Sequence, residues 1–110
     1  MTTVTLTHAA ALTRLGQALS EGVRTQILLT LRAGPTTPSQ LVEALGVSKQ
    51  VISNQLACLR GCGLVEAVKD GRHSWYRLVD ARLGEALGEL LEVVVTVDPD
   101  CCSPEGCACS

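Results

Sequence analysis

The chain has 110 residues and a formal net charge of -2, and its apolar content is mostly Leu, Val and Ala, with no Phe. This length fits one small, helix-rich domain with a marginal core, so a partner subunit is expected to add stability. No stretch reaches the roughly 18 apolar residues of a membrane span, and residues 1–10 lack the regions of a signal peptide. Neither a membrane span nor a signal peptide is therefore expected, and the default expectation is a cytoplasmic location.

The charges are distributed unevenly along the chain. Residues 1–82 contain nine basic and five acidic side chains, a net charge of +4. Residues 83–110 contain six acidic side chains and no basic one, a net charge of -6. A mildly basic body with an acidic end is compatible with a nucleic-acid partner, despite the negative total.

Two helices are predicted first in chain order. Apolar residues recur at helical spacing over residues 7–20 and again over residues 21–33, where Gly34 and Pro35 end the second helix. The apolar positions of the first helix are Leu12, Leu15 and Leu19.

Two shorter helices follow, each with recognisable end signals. Thr37 is expected to cap one helix with Pro38 at its first position, and Gly46 supplies its left-handed exit. Ser48 caps the next helix, which is expected to end within the GCG of residues 61–63. The apolar positions of this fourth helix are Ile52, Leu56 and Leu59.

The periodicity then changes. Residues 64–79 alternate as two strands around the turn DGR, which predicts a β-hairpin, and Asp80 caps a last helix over residues 81–97. A helix, a turn of about three residues, a second helix and a hairpin predict a winged helix-turn-helix, mainly α with a β-hairpin wing.

The first and last helices are more apolar than solvated helices, and they are the expected surface of a homodimer. We assign residues 1–97 to a winged helix-turn-helix DNA-binding and dimerisation domain. Residues 98–110 are assigned to a flexible, Cys-rich metal-binding tail.

The fourth helix begins with polar side chains that can reach bases and phosphates. Gln and Asn pair bidentately with adenine, whereas Lys and Ser suit guanine or phosphate. A solvated helix face has the same composition, but basic side chains in and after the hairpin turn favour a DNA-reading surface. The candidate DNA contacts are Ser48, Lys49, Gln50, Ser53, Asn54, Gln55, Lys69, Arg72 and Arg77.

Six cysteines in a cytoplasmic chain suggest metal binding or redox chemistry rather than a disulfide framework. Cys58 and Cys62 are four residues apart, which puts both on one helix face with Cβ atoms roughly 5 to 6 Å apart. Two thiolates are too few for most soft metals, so further ligands must come from elsewhere. The tail offers Cys101, Cys102, Cys107 and Cys109.

Thiolate-rich sites bind soft or borderline ions, and Cd(II), Pb(II), Hg(II), As(III), Zn(II) and Cu(I) all qualify. Sites with three thiolates favour the first four of these ions. The competing interpretation is that Cys58 and Cys62 are small buried apolar side chains. His8 and His73 are isolated and are expected to be surface residues rather than ligands.

Residues 36–78, TTPSQLVEALGVSKQVISNQLACLRGCGLVEAVKDGRHSWYRL, resemble the ArsR/SmtB family of metal-responsive transcriptional repressors. The matching pattern, S-x-x-x-x-S-x-x-L-x-x-L-x-x-x-G-L-V, runs from Ser48 to Val65 and is followed by the wing. Family members often have His at the position of Gln55, and D-P-x-R where Glu21–Arg24 read EGVR. The resemblance implies a dimeric winged helix-turn-helix that binds double-stranded operator DNA.

Within the family, ACLRGCGLV and ALGELLEVVVTVD are most similar to the cadmium and lead sensors of the CmtR type. Those sensors have a C-x-x-x-C pair on the recognition helix and take a third thiolate from the C-terminal tail. The resemblance implies Cys58 and Cys62 as ligands, completed by Cys102 or Cys101, with Cd(II) or Pb(II) as the inducer.

The resulting hypothesis is a repressor that binds its operator when metal-free and is released when thiolates bind a soft metal. One alternative changes the signal to arsenite, mercury or thiol oxidation. A second alternative is a different class of protein, a cytosolic metal-sequestering protein. An enzyme is not expected, because no nucleophile is evidently paired with a base and no carboxylate pair stands out.

Overall fold

The structure is a computed structural model and describes residues 7–94. In this range five helices and one two-stranded antiparallel sheet form the winged helix-turn-helix that the sequence predicts. No helix in it is long and apolar enough to cross a membrane. The end of the predicted last helix and the whole tail lie outside the described residues. The elements are α1 (His8–Leu19), α2 (Gly22–Leu31), α3 (Pro38–Leu45), α4 (Lys49–Gly61), β1 (Val65–Asp70), β2 (His73–Leu78) and α5 (Ala81–Val94).

Local sequence signals fix the two helices of the helix-turn-helix. The Thr37 hydroxyl accepts from the Gln40 backbone N–H at 3.3 Å, and Gln40 Oε1 accepts from the Thr37 N–H at 3.2 Å. This reciprocal pair is a capping box, and a cap of this kind stabilises a helix by about 1 kcal/mol. Gly46 ends α3 with a φ of 67°, and the Ser48 hydroxyl accepts from the Val51 N–H at 3.1 Å to begin α4. The turn between α3 and α4 is therefore set locally.

The apolar face of α4 lies at the centre of the core. Ile52, Leu56 and Leu59 are at most 2% exposed, as the apolar spacing predicts. Burying each such side chain contributes roughly 1.5 to 3 kcal/mol. They share one cluster with buried residues of the other helices and of β1, which are Ala18, Ile27, Leu28, Leu31, Leu41, Val65 and Leu87.

The outer helices leave apolar side chains exposed. In α1 the buried residue is Ala18, while Leu12, predicted to share one apolar stripe with Leu15 and Leu19, is 69% exposed. The reason is that α1 packs on α2 through its C-terminal end, so its N-terminal half extends beyond the core. Leu90 of α5 is also 46% exposed. These side chains give α1 and α5 the apolar surface that a subunit contact requires.

The hairpin formed by β1 and β2, here called the wing, is joined to the body through β2. Asp70 pairs with His73, so the connecting turn consists of residues 71–72. On the other side of β2, Thr36 and Tyr76 exchange two backbone hydrogen bonds of 2.9 and 2.8 Å. The wing is therefore held against the segment that precedes α3, and its strands pack on α3 and α4.

Candidate metal site and DNA-reading face

Cys58 and Cys62, here called the thiol pair, lie one helical turn apart. The Cys62 backbone N–H donates to the Cys58 carbonyl oxygen at 3.0 Å, and Cys62 keeps helical dihedral angles, with φ -81° and ψ -6°. Side chains at this spacing leave the same helix face with Cβ atoms roughly 5 to 6 Å apart. Cys58 is exposed and Cys62 is half-buried, and both are free thiols. The exposure of Cys58 argues against the interpretation of the pair as buried apolar side chains.

The helix ends immediately after the thiol pair. Gly63 has a φ of 77°, its N–H donates to the Arg60 carbonyl at 3.0 Å, and the Leu64 N–H donates to the Leu59 carbonyl at 3.1 Å. These two hydrogen bonds around a left-handed glycine form a Schellman motif. The chain then enters β1 at Val65. The thiol pair consequently lies at the junction between α4 and the wing.

The ligands of a complete metal site are not all in the described part of the chain. Within residues 7–94, no group of three or more Cys, His, Asp or Glu side chains could hold a metal ion. An exposed thiol pair on one helix face fits part of a site for a soft ion, because thiolates favour such ions. Cys102 and Cys101, the further ligands suggested by the sequence, lie outside the described residues.

The N-terminal half of α4 presents an exposed polar face. Gln50 Nε2 donates to Asn54 Oδ1 at 2.8 Å, which holds the two amides together on successive turns. Gln50 keeps an acceptor and a second N–H for a base edge, and Asn54 keeps its amino group. The exposed residues of this face are Ser48, Lys49, Gln50, Ser53 and Asn54. This arrangement can donate to and accept from DNA bases.

Gln55 differs from these neighbours because it is half-buried and has an internal partner. Its Oε1 accepts from Arg24 Nη1 at 3.1 Å, while Arg24 Nε and Nη2 donate to the carbonyls of Ala18 and Gln17, both at 3.0 Å. The amino group of Gln55 remains available to DNA. This role of Arg24 was not predicted from the sequence, because its partner on α4 is 31 residues away.

The basic side chains of the wing lie on different faces. Lys69 and Arg72 are exposed at the tip, whereas Arg77 pairs in register with Glu66 on the face opposite to Lys69. Arg77 Nε donates to Glu66 Oε1 at 2.8 Å, and both side chains are about half exposed. Such surface ion pairs contribute about 0 to 1 kcal/mol, so this one can be exchanged for another anion. The strand register thus puts Arg77 on the other face of the wing from Lys69, while Lys69 and Arg72 are both exposed near the tip.

Known proteins with similar sequences and structures match this geometry. Residues 21–67 match the bacterial regulatory protein family arsR. The HTH-type transcriptional regulator CmtR of Mycobacterium tuberculosis is 50% identical over 91 residues, which are 83% of this chain and 77% of that protein.

Two solved structures support the same assignment. The NMR structure of the cadmium metal-sensor CmtR from Mycobacterium tuberculosis has a TM-score of 0.66 at 49% identity, covering 80% of this chain and 92% of that one. A homodimeric winged helix-turn-helix DNA-binding domain from Mycobacterium bovis has a TM-score of 0.69 at 32% identity, covering 86% and 90%. The chain therefore belongs to the ArsR family of bacterial regulatory proteins.

Proposed function

We propose that this protein is a dimeric, cytoplasmic transcriptional repressor that binds operator DNA when metal-free and releases it when Cd(II) or Pb(II) binds its cysteine thiolates. The observation that carries the proposal is the position of the thiol pair on α4. The same helix presents the exposed polar face formed by Ser48, Lys49, Gln50, Ser53 and Asn54. Similarity to a cadmium sensor supports the choice of metal.

The proposed ligands are Cys58 and Cys62 together with a tail thiolate, Cys102 or Cys101. Three thiolates suit large soft ions, and the exposed position of Cys58 leaves it accessible to a ligand from another segment. The bound ion would supply a cross-link between α4 and the tail. As(III), Hg(II) and Zn(II) are the competing ions that an experiment must compare.

The DNA contacts follow from the exposed faces described above. The N-terminal half of α4 would enter the major groove, with Gln50 and Asn54 at base edges and with Lys49 beside them. Ser48, Ser53 and Gln55 would contact the DNA from the same helix. Lys69 and Arg72 at the wing tip, together with Arg77, would contact phosphates.

Dimerisation through α1 and α5 would place two α4 helices on a two-fold symmetric operator. The exposed Leu12 and Leu90 support this surface, as does the homodimeric relative. A single protomer has few basic side chains at its DNA-reading face, so doubling the contacts raises the affinity.

Release is proposed to have two physical causes. Closure of the metal site would strain the orientation of α4, because the thiol pair is part of that helix. It would also move the acidic tail, with a net charge of -3 over residues 98–110, toward a surface that must meet phosphate. The coupling free energy equals the free energy of metal binding to the DNA-bound protein minus that of metal binding to the free protein.

A gel-shift experiment on the promoter region tests the proposal under reducing conditions. The metal-free protein is expected to retard the DNA, and addition of Cd(II) or Pb(II) is expected to abolish the shift. Hg(II), arsenite and Zn(II) in parallel lanes identify the inducer. Tight metal binding with unchanged retardation would instead indicate a metal-sequestering protein, and a response only to oxidants would indicate a thiol-oxidation sensor.

A further inference from the structure

Arg24 joins three helices through one guanidinium group. Nε and Nη2 donate to the carbonyls of Ala18 and Gln17 in the last turn of α1, and Nη1 donates to Gln55 Oε1 on α4. The backbone N–H of Arg24 also donates to Glu21 Oε2 at 2.8 Å at the start of α2. A planar guanidinium with five N–H donors can make all three side-chain bonds at once, which a lysine ammonium cannot do in this geometry.

The end of α1 is bound to α2 as a unit. The Thr25 hydroxyl donates to the Leu19 carbonyl at 2.9 Å, so three successive carbonyls of α1, at residues 17–19, accept from side chains of α2. A helix end leaves its last carbonyls without the usual partners four residues on, and these side chains serve as partners for them; the Gln17 carbonyl also accepts from Ser20. Displacement of α2 would therefore displace α1.

Gln55 connects this unit to the thiol pair. Along α4, Val51, Gln55, Cys58 and Cys62 follow one another at spacings of four, three and four, which places them on one face. Within residues 7–94, the Arg24–Gln55 bond is the one side-chain to side-chain hydrogen bond that joins two different helices. A rotation of α4 that brings the thiol pair to further ligands would pull on this bond.

We propose that Arg24 is a positioning residue that couples the thiol pair on α4 to α1, so that metal-induced release of DNA depends on the Arg24–Gln55 bond. This inference rests on the proposed function and names the contact through which metal binding would act on the rest of the protein. In a dimer that uses α1 as part of its interface, the bond fixes α4 relative to the subunit contact. Metal binding at the thiol pair then alters the relative orientation of the two α4 helices.

The test measures operator Kd with and without saturating Cd(II) for the full chain and takes the ratio of the two values. The ratio isolates coupling, because a substitution that only weakens DNA contacts or folding lowers both affinities alike. For the unaltered protein we expect a ratio in the range of roughly 5 to 150 that is typical of allosteric coupling. For Arg24→Lys we expect a ratio below about 2, with thiolate-to-Cd(II) absorbance showing unchanged metal stoichiometry.

Two further variants change Gln55, the partner of Arg24 on α4. Gln55→Ala removes the acceptor but leaves the bonds of Arg24 to α1, and it should lose the coupling as Arg24→Lys does. Gln55→Glu keeps an acceptor for Arg24 and should keep the ratio of the unaltered protein, even if both operator affinities fall. Arg14→Lys is the matched control, because Arg14 is exposed on α1 and makes no side-chain hydrogen bond within residues 7–94.

The outcomes separate the two proposals. If Cd(II) does not change the operator Kd of the unaltered protein, the proposed function is wrong, whatever the variants do. If the unaltered protein responds and Gln55→Ala responds equally, the coupling role of Arg24 is overturned while the function stands. Because Gln55→Ala leaves the carbonyls of α1 satisfied, this second outcome can be read even if Arg24→Lys fails to fold.

Discussion

Gly61 and Gly63 lie on either side of Cys62 but have opposite backbone requirements. Gly61 is the last residue of α4, whereas Gly63 has a φ of 77° in the left-handed region. A Cβ added at either position would meet nothing within 4 Å. Conformation alone therefore distinguishes the two glycines, and only Gly63 is required to end the helix after the thiol pair.

Substitution of these glycines by alanine should change the free energy of unfolding in opposite directions. Gly63→Ala should destabilise the protein by roughly 1 to 2 kcal/mol, the cost of a left-handed conformation for a residue with a Cβ. Gly61→Ala should stabilise it by up to about 1 kcal/mol, because glycine loses more conformational entropy in a helix. Urea unfolding monitored by circular dichroism measures both, and equal effects would show that the Schellman motif does not determine this helix end.

The wing tip should contribute to the salt dependence of DNA binding. Arg72 is exposed and has no side-chain partner within residues 7–94, so it is available to a phosphate. For Arg72→Ala the slope of log K against log salt should become shallower by about 0.9 per protomer, and so by about 2 for a dimer.

The matched control for Arg72 is Arg82→Ala. Arg82 is exposed but is ion-paired with Asp80 at 2.7 Å, and it lies at the start of α5. Its removal should leave the salt slope unchanged. Equal changes for Arg72 and Arg82 would mean that the wing tip does not contact phosphate.

Asp80 should give the protein an acid-sensitive component of stability. Hydrogen bonds from the Arg82 side chain and backbone lower the pKa of Asp80 from 3.8 to about 2. A carboxyl whose pKa is lower in the folded state stabilises the protein at pH values above its unfolded pKa, and this contribution is lost as the pH falls through the folded pKa. The loss should therefore lie between about pH 4 and pH 2.

Thermal unfolding of Asp80→Asn over this pH range tests that assignment. Asparagine keeps an oxygen for the Arg82 backbone N–H but cannot ionise, so Tm of the variant should fall less steeply between pH 4 and pH 2 than Tm of the unaltered protein. If Tm falls equally steeply with pH in the two proteins, Asp80 does not contribute to the loss of stability in acid.

The exposed apolar side chains of α1 and α5 should hold the dimer together. Leu12→Glu and Leu90→Glu each put a charge into the proposed interface at positions that are 69% and 46% exposed in the protomer, so folding itself should be little affected. Analytical ultracentrifugation is expected to show that both variants self-associate more weakly than the unaltered protein. Val68→Glu is the control, because Val68 is 40% exposed on the wing, and a dimer that responds only to this control would place the interface elsewhere.

Local signals made most of the fold predictable. The Thr37 cap, the Gly46 exit and the Ser48 cap were each readable because a helix end depends on a few adjacent residues. The end of α4 could be placed only within GCG, since both Gly61 and Gly63 are compatible with an exit until φ is known. The position of the thiol pair on one helix face was predicted from spacing and confirmed by the structure.

Contacts between distant segments were not predictable in the same way. The Arg24–Gln55 bond joins residues 31 apart, and the bridge between Thr36 and Tyr76 depends on how β2 packs against the body. The exposure of Leu12 was not predictable for the same reason. Periodicity identifies an apolar helix face, but it does not show whether another element of the same subunit covers that face. The proposed tail ligands stay a prediction, since they lie outside residues 7–94.

The most direct test of the central claim is an equilibrium titration of labelled operator DNA, followed by fluorescence anisotropy, with and without one equivalent of Cd(II) per thiol pair. For the unaltered protein, Cd(II) should weaken operator binding at least about fivefold. Cys58→Ser should bind the metal-free operator normally and show no effect of Cd(II), while Ala57→Ser, at an exposed neighbour, should respond like the unaltered protein. Operator affinity that stays constant while Cd(II) is bound to Cys58 and Cys62 would contradict the account.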